Sequence, residues 1–422
     1  MLEVQQSMKL IHSKDIYYIT KEVLKLIDPK VIRHGERTAY ILYKMLMCLD
    51  KYEMYEVAEF AFIATLHDIG AFKTDYMEDQ LRYESRDYMP HSIYGYLFLL
   101  YLMPFKDRAK IILYHHTDYD KIPKVEYEFT DIIYYLNVAE KMDMYSNILG
   151  SKFDYMMFNK QSGTKYAPKA LDLLYQAQKR YNVFEKLSSG EYKEELEELY
   201  EYLIFTNEEK DNLLMGLMSC VSFRSEYSMV DTVACLNICV QLADKLLLSQ
   251  EDTELLRCAA VLHDAGMCSV SKDVLEAPRK LTDIEMQGLR NHVSLIETIL
   301  QGRLDEACLD IITAHHERCD GSGYPNKLRA NQMNRLKMIL QVADVVTALT
   351  SPRSYREPKS KEQVISILNE EAQKGKLSSE IVRAFTAFYD SIMDGVTKAS
   401  TKQLSTYRKL VENYDVTYKQ IK

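Results

Sequence analysis

One stretch of the second half decides how this chain is interpreted: His315-His316-Glu317-Arg318-Cys319-Asp320-Gly321-Ser322-Gly323-Tyr324-Pro325. Two adjacent imidazoles, a carboxylate and a glycine-rich turn are poor material for a hydrophobic core. His263-Asp264 lies 52 residues before His315, His292 lies between them, and Asp344 follows His316 by 28 residues. Imidazole and carboxylate groups suit zinc, iron, manganese or nickel. The spacing therefore predicts a metal site at which these side chains meet.

The same order of residues occurs about 200 residues earlier in the chain. The two sets are His67-Asp68, His91, His115-His116 and Ala139-Glu140, and His263-Asp264, His292, His315-His316 and Ala343-Asp344. Once His34 is included, nine of the ten histidines fall on these positions, and His12 is the remaining one. A single histidine on an apolar helix is usually a core residue. Nine in one repeated order instead indicate a duplicated domain.

The hydrophobic pattern is helical along nearly the whole chain. Leu255, Ala259 and Leu262 follow a helical spacing that leads into His263, and Gly266 is predicted to stop that helix. Alternating strand-like runs are scarce, and the chain has only 9 prolines and 14 glycines. We therefore predict an all-α fold made of two tandem helical bundle domains.

The predicted domains are residues 1–185, a helical connector at 186–208, and residues 209–422. The connector contains a glutamate-rich helix whose apolar stripe consists of Leu196, Leu199 and Leu203. Its glutamates are expected to form a solvated face. A helix that binds a partner is the alternative.

Composition narrows the class of protein. Hydrophobic residues make up 47% of the chain and charged residues 27%, as in ordinary soluble proteins. No apolar run approaches 18 residues, the N-terminus does not resemble a signal peptide, and the eight cysteines form no Cys-x-x-Cys pair. These features predict a cytoplasmic protein without a membrane span. The net charge of −9 argues against a long nucleic acid as partner but permits a small phosphorylated ligand.

The ordered residues resemble the HD superfamily of metal-dependent phosphohydrolases. The second half is similar to the HD-GYP subgroup in His315-His316-Glu317, in Asp320 to Pro325, in Val342-Ala343-Asp344 and in the segment up to Arg356. This resemblance covers most of residues 209–395. It implies hydrolysis of a cyclic dinucleotide, with cyclic di-GMP as the expected substrate, by a hydroxide held between metal ions. The expected ions are divalent, iron or manganese, up to two for each site.

The resemblance also implies roles for individual residues of the second half. His263 and Asp344 would bind one metal, His292, His315 and His316 the other, and Asp264 would bridge both as the catalytic carboxylate. Ligand recognition would fall to Gly321, Gly323, Tyr324 and Pro325, with Arg318, Lys327, Arg353 and Arg356 as candidate phosphate contacts. Ordinary surface charge is the alternative for those four cations.

In the first half, the corresponding metal ligands would be His34, His67, Asp68, His91, His115, His116 and Glu140. Asp68 would be the catalytic, bridging carboxylate, and Asp143 is a fallback ligand one helical turn after Glu140. The glycine-rich turn is missing, because Thr117-Asp118-Tyr119-Asp120 follows His116.

The second half departs from the family pattern in three respects, one of which is that Met218 to Cys220 stand in the region of the glutamate that would serve a third metal. No histidine occurs between His116 and His263, and Tyr227 or Met229 occupies the region of the expected first histidine. Met267 stands in place of the usual lysine. Two alternatives therefore stay open. One is a weak or inactive sensor or scaffold that binds a nucleotide or a protein partner. The other is a nucleotide phosphohydrolase that uses the first site. A homodimer is also left open.

Overall fold

The structure is a computed structural model that describes residues 11–73, 89–124, 126–223, 230–352 and 357–421. These residues form helices and no strands, and two residue pairs, Ser162–Tyr166 and Asp320–Arg329, form isolated bridges. The predicted all-α fold is confirmed.

The α-helices begin and end at the following residues. In the first part of the chain they are α1 (Ser13–Lys25), α2 (Pro29–Leu46), α3 (Met54–Thr65), α4 (Met89–Leu102), α5 (Lys110–Leu113), α6 (Thr130–Leu149), α7 (Pro168–Tyr181), α8 (Val183–Ser189), α9 (Tyr192–Tyr200) and α10 (Asn207–Ser222). They continue with α11 (Asp231–Lys245), α12 (Gln250–Leu262), α13 (Lys272–Leu275), α14 (Asp283–Arg290), α15 (His292–Leu300), α16 (Glu306–Ile312), α17 (Arg335–Thr350), α18 (Lys361–Gln373), α19 (Ser379–Ala387) and α20 (Tyr389–Ile421). Short 3₁₀ segments occur at Ile69–Lys73, Lys106–Arg108, Tyr119–Lys121, Gly150–Lys152, Tyr155–Gln161, Ala265–Ser269 and Ala330–Gln332.

The helices fall into two compact units. The first unit consists of Ile27–Gly216 together with the residues from Leu410 onward. The second unit consists of Leu217–Lys409 together with the described residues up to Leu26. These boundaries differ from the predicted ones at both ends of the chain.

Helix α1 belongs to the second unit because its apolar face packs there. Ile16 and Ile19 are fully buried, and the helix contacts α15 and the 3₁₀ segment at Ala265–Ser269. Arg303 adds a polar contact, with its guanidinium group 3.7 Å from the centre of the Tyr18 ring. The predicted domain 1–185 therefore does not coincide with the packed unit.

The predicted connector is part of the first unit. Leu196 and Leu199 are buried, and α9 packs against α2 and α3. Glu195 is not simply solvated, because its carboxylate lies 2.6 Å from Lys44 Nζ and accepts a hydrogen bond of 3.0 Å from the Tyr40 hydroxyl. The apolar stripe is thus covered by the unit's own helices and is not a free face for a partner.

Corresponding helices pack in both units. In the first unit α2 packs against α3 and α6, and in the second unit α11 packs against α12 and α17. In each unit, histidine follows the end of a packed helix, at α3 in one case and at α12 in the other. None of the described helices could serve as a transmembrane segment, because each is too short or too polar.

Candidate metal centres

In the second unit, the predicted metal ligands come from four helices and the segments that follow them. His263 caps the end of α12, and Asp264 is the next residue. His292 is the first residue of α15, the His315-His316 pair follows α16, and Asp344 lies on α17. Tertiary packing therefore brings together residues that are up to 81 positions apart in the sequence.

Three of these imidazoles are oriented by the backbone of their own helix or turn. The Nδ1 atoms contact the carbonyl oxygen three residues earlier, in the pairs His263–Ala260 (2.9 Å), His292–Leu289 (2.6 Å) and His315–Ile312 (2.6 Å). A carbonyl oxygen can only accept, so a proton lies on Nδ1, and in the neutral imidazole, the form that binds a metal, Nε2 is unprotonated. This arrangement is typical of metal-binding histidines, whose second nitrogen is held by an acceptor.

The unprotonated nitrogens surround the carboxylate of Asp264. One carboxylate oxygen, Oδ1, lies 3.6 Å from His292 Nε2 and 3.9 Å from His315 Nε2, and these two nitrogens are 3.1 Å apart. The other oxygen, Oδ2, lies 3.4 Å from His263 Nε2. Ligands bound to one ion at about 2.1 Å are separated by roughly 3.0–3.4 Å. The distances of 3.1 and 3.4 Å fall within this range, and those of 3.6 and 3.9 Å exceed it by up to 0.5 Å. The two oxygens of Asp264 face different imidazoles.

His316 and Asp344 complete the cluster. Ligand atoms of Asp264, His292, His315 and His316 all lie within 4.8 Å of one another. Asp344 Oδ2 lies 3.4 Å from His316 Nδ1. Burial alone would raise the pKa of Asp344, but the hydrogen bond from His316 and the charges of His316 and His315 lower it to about 2. The carboxylate is therefore anionic at neutral pH.

The first unit repeats this arrangement. His67 Nδ1 contacts the Ala64 carbonyl oxygen at 2.7 Å, and His115 Nδ1 contacts that of Ile112. Two groups of ligand atoms share Asp68: one is Asp68, His91, His115 and His116, and the other is His34, His67 and Asp68. Asp68 Oδ1 lies 3.4 Å from His91 Nε2, and Oδ2 lies 3.4 Å from His67 Nε2. Asp68 is thus placed as Asp264 is.

Several buried polar atoms of the first unit lack a hydrogen bond. Three of them belong to predicted ligands, namely His67 Nε2, Asp68 Oδ1 and Glu140 Oε2. Buried polar atoms are normally satisfied, and an ion is one explanation when they are not. Burial lowers the pKa of His67 to about 4 and that of His91 to about 3, so both imidazoles are neutral, as metal ligands must be. The residues present therefore fit divalent ions.

Asp143 has a different position from the one predicted for a fallback ligand. It is fully buried, and its carboxylate accepts hydrogen bonds from Arg37 Nε, from His34 Nδ1 at 2.7 Å and from Asn147 Nδ2 at 3.0 Å. With its oxygens engaged in this way, Asp143 orients His34 and leaves His34 Nε2 available. Neither Asp143 nor Arg37 was expected in this role, because their pairing depends on how α2 packs against α6.

The glycine-rich turn of the second unit is built around Glu317. This carboxylate is fully buried and accepts backbone hydrogen bonds from Asn326 (2.6 Å) and Leu328 (2.8 Å). Gly323 packs directly on this residue, because a Cβ at Gly323 would lie 2.5 Å from Glu317 Cα. Glu317 therefore holds the turn beside the metal cluster.

Tyr324 joins the turn to the cluster. Its ring centre lies 4.9 Å from that of His316, and the Arg290 guanidinium lies 5.3 Å from the Tyr324 ring. Burial raises the pKa of Tyr324, while the nearby charges of Arg290 and Arg318 act in the opposite direction. Arg290 was missed from the sequence, where its only signal is its position two residues before His292.

The remaining candidates for ligand binding differ in their placement. Gly321 and Pro325 lie in the turn, and Lys327 is exposed beside it with a positive φ of 55°. Arg353 and Arg356 lie outside the described residues, as do Tyr227 and Met229.

Asp231 stands where the first histidine was expected. Buried residues of α2 and α11 correspond in register, as with Ile41 and Ile238, so Asp231 is the counterpart in the second unit of His34 in the first. Among the described residues, the Asp231 carboxylate does not belong to a group of ligand atoms.

Gly266 has a role other than the predicted helix stop. Helix α12 already ends at Leu262 with His263 as its cap. A Cβ at Gly266 would lie 2.2 Å from the carbonyl oxygen of His292, and one at Gly70 would lie 2.0 Å from that of His91. Glycine is therefore needed at both positions for close approach of the segment that carries the histidine.

The segment after His116 takes a different form from the turn of the second unit. Tyr119 and Asp120 donate backbone hydrogen bonds of 2.9 Å to the carbonyl oxygens of Lys165 and Thr164. In the second unit, Cys319 donates a corresponding bond of 2.9 Å to Lys376. The chain is thus anchored similarly in both units, although the first has no glycine-rich turn.

Comparisons with known proteins show which families and relatives this chain is similar to. Residues 217–381 match the HD-domain family. The 3'3'-cGAMP-specific phosphodiesterase 1 of Vibrio cholerae serotype O1 is 23% identical over 390 residues, which cover 88% of this chain and 90% of that protein. The cyclic di-GMP phosphodiesterase response regulator RpfG of Xanthomonas campestris pv. campestris is 37% identical over 138 residues, which cover 32% of this chain and only 36% of that protein.

A solved structure supports the fold. The crystal structure of the cyclic GMP-AMP-specific phosphodiesterase V-cGAP3 of V. cholerae superposes with a TM-score of 0.55 at 16% identity, covering 90% of this chain and 97% of that chain. The predicted family is confirmed for the second half, and a tandem copy in the first half stays a prediction. The similarity to the HD-domain family is thus carried by residues 217–381.

Proposed function

We propose that the second unit is a metal-dependent phosphodiesterase that hydrolyses a cyclic dinucleotide. The observation that carries this proposal is the position of Asp264, whose two oxygens lie 3.4 Å from His263 Nε2 and 3.6 Å from His292 Nε2. A carboxylate in this position can bridge two ions. Paired ions stabilise both the attacking and the leaving oxygen of a phosphoryl transfer.

The chain's own residues would divide the work between two ion positions. His292, His315, His316 and Asp264 would hold one ion, and His263, Asp264 and Asp344 the other. An ion bound there supplies a Lewis acid for the phosphoryl oxygens and lowers the pKa of a water molecule that attacks phosphorus. Iron or manganese remains the predicted metal.

The rim of the site suits an anionic ligand with aromatic bases. Arg290 and Arg318 place positive charge around Tyr324, and guanidinium groups bind phosphate through paired hydrogen bonds. The Tyr324 ring offers a surface on which a nucleobase can stack. Glu317 fixes this rim by holding the turn from within.

The names of the relatives support the substrate class. The relative that matches nearly the whole chain is named for 3'3'-cGAMP, and RpfG for cyclic di-GMP. Both compounds are cyclic dinucleotides. We propose cyclic di-GMP as the substrate, since the HD-GYP resemblance implies it, and 3'3'-cGAMP as the comparison compound.

A direct assay tests this proposal. Metal-stripped protein is reloaded with Mn(II) or Fe(II), incubated with each cyclic dinucleotide, and the linear product is separated by chromatography. We expect hydrolysis of cyclic di-GMP that falls by at least about 100-fold in Asp264→Ala and persists in Asp68→Ala. Product from 3'3'-cGAMP alone would reassign the substrate. Binding without product from either compound would favour the sensor or scaffold alternative.

The first unit supports a second candidate function, the removal of phosphate from a nucleotide. The observation in its favour is the set of buried ligand atoms around Asp68 that make no hydrogen bond. If this unit is the hydrolase, His67→Ala abolishes release of phosphate from a nucleoside monophosphate, whereas His263→Ala leaves it unchanged. The opposite result would reject this candidate.

A further inference from the structure

A lysine lies within the ligand cluster of the first unit. Lys141 Nζ lies 2.7 Å from His116 Nδ1 and 3.0 Å from Glu140 Oε1. In the second unit, the residue that follows Asp344 is Val345. We propose that the Lys141 ammonium group takes the place of one metal ion, so that the first unit binds a single ion. This inference rests on the proposed metal-binding role of the first unit, and it does not require that the unit hydrolyse anything.

The position of the proton on His116 carries the argument. An ammonium group has three donors and no acceptor, so His116 Nδ1 must accept the hydrogen bond from Lys141. A neutral imidazole has one N–H, which then lies on Nε2. His116 Nε2 is the atom that lies 2.8 Å from His91 Nε2, inside the group of predicted ligand atoms. Because a protonated nitrogen cannot bind a metal, Lys141 removes His116 as a ligand.

In the second unit, the histidine that corresponds to His116 is His316, and Val345 takes the position of Lys141. His316 Nδ1 lies 3.4 Å from the Asp344 carboxylate, which can accept a hydrogen bond from Nδ1–H and so leave Nε2 free for an ion. His116 Nδ1 lies at the same distance, 3.4 Å, from Glu140 Oε2. The first unit thus retains a carboxylate acceptor, Glu140, beside His116 Nδ1. Lys141 Nζ and this carboxylate compete for the same ring nitrogen.

The other ion position of the first unit is unaffected by this competition. His34 Nδ1 donates to Asp143, and His67 Nδ1 donates to the Ala64 carbonyl, so in the neutral imidazoles both Nε2 atoms are available to an ion. Together with Asp68 they form the second group of ligand atoms. The positive charge of Lys141 also repels a divalent ion at the neighbouring position, and such repulsion is weakly screened in a buried site. The single ion should therefore bind at His34, His67 and Asp68.

The experiment counts ions in the first unit of the full-length chain. The triple variant His263→Ala, His292→Ala, His315→Ala removes the predicted ligands of the second unit, and circular dichroism checks that it stays folded. Metal-stripped protein is titrated with Mn(II), followed by calorimetry and by elemental analysis after desalting. We expect one tightly bound ion, which is lost when His67→Ala is added. Adding Lys141→Val, which copies Val345, should raise the affinity for a further ion by about tenfold or more.

A control and an independent measurement complete the test. Lys121→Val in the same background removes an exposed lysine of the first unit and should leave both affinities unchanged. Electron paramagnetic resonance of the triple variant with Lys141 intact should show an isolated Mn(II) signal. An exchange-coupled Mn(II) pair in that spectrum would overturn the inference. So would an unchanged or weaker further site in Lys141→Val, or no bound ion at all. None of these measurements uses a substrate, so failure of the proposed hydrolysis would be seen separately.

Discussion

At the scale of single residues, Glu317 shows how a buried carboxylate can serve the backbone instead of an ion. It lies directly after the His315-His316 pair, yet its two oxygens accept hydrogen bonds from the backbone of Asn326 and Leu328. Bonds to a charged acceptor are stronger than those between neutral groups. Glu317 thereby fixes the turn on which Tyr324 lies.

We expect Glu317→Gln to loosen this turn. Glutamine has one acceptor oxygen, so its NH₂ group would face one of the two backbone N–H groups. The expected cost is about 2 kcal/mol of unfolding free energy for the second unit, together with a higher KM for the cyclic dinucleotide. Urea unfolding and steady-state kinetics measure these effects. Asp320→Asn, at an exposed position of the same turn, is the control and should change stability by less than about 1 kcal/mol. A fully stable Glu317→Gln variant would contradict this role.

Residue identity and spacing in the sequence predicted which imidazoles and carboxylates come together, because those side chains have few other uses in an apolar interior. The contacts of Lys141, Arg290 and Asp143 could not be predicted in the same way. A lysine or arginine on a helix is by default a surface charge. Asp143 follows Glu140 by one turn, but Arg37 and His34 reach it from another helix. Such pairings depend on tertiary packing.

At the scale of helices, the junction between α12 and α15 sets the position of His292. The 3₁₀ segment Ala265–Ser269 runs so close to the start of α15 that Gly266 contacts the His292 carbonyl group. The predicted reason for this glycine, a stop at the end of the helix, was wrong, because α12 ends earlier, at Leu262. Sequence alone shows that a glycine is present but not which neighbour requires it.

Gly266→Ala should displace α15 and weaken the metal centre. The added Cβ would lie 2.2 Å from the His292 carbonyl oxygen, so the backbone must move. We expect a loss of about 2 kcal/mol or more in unfolding free energy and less bound metal, measured by urea unfolding and elemental analysis. Gly288→Ala is the matched control: Gly288 lies in helix α14 with open space around it, and alanine there should stabilise by up to about 1 kcal/mol. Equal behaviour of the two variants would reject the close-approach argument.

The helical pattern predicted the type of the elements but not their partners. The apolar stripe of α9 was predicted from Leu196 and Leu199, and both residues are buried. Amphipathicity specifies that a face will be covered, and any apolar surface of suitable shape can cover it. For this reason the predicted domain boundaries left the connector, residues 186–208, outside the first unit, although it packs there.

At the scale of the whole molecule, sequence order and packing diverge. Helix α1 comes first in the chain, yet it belongs to the second unit, while the residues from Leu410 onward belong to the first. A repeat in the sequence indicates two domains. For short segments outside the repeat, the sequence does not indicate the domain in which they pack. Their assignment requires the packed structure.

Ile16→Ala tests the assignment of α1. Ile16 is fully buried, and its truncation should cost the second unit about 2–4 kcal/mol. Because α1 contacts α15, we expect faster amide hydrogen exchange in α15. Ile284→Ala, at a position that is 86% exposed in α14, is the control and should leave exchange unchanged. Unaltered protection of α15 in Ile16→Ala would show that α1 does not support the second unit.

The ring orientation of the histidines has a further consequence for how ions are chosen. His67, His263, His292 and His315 are each tied to the carbonyl oxygen three residues before them, so the protein backbone aims them before any ion arrives. Loading then requires little rearrangement, and imidazole and carboxylate donors accept several first-row metals, so selection among them depends on geometry and on metal availability. Which ion fills such a centre is decided by local supply as much as by the protein.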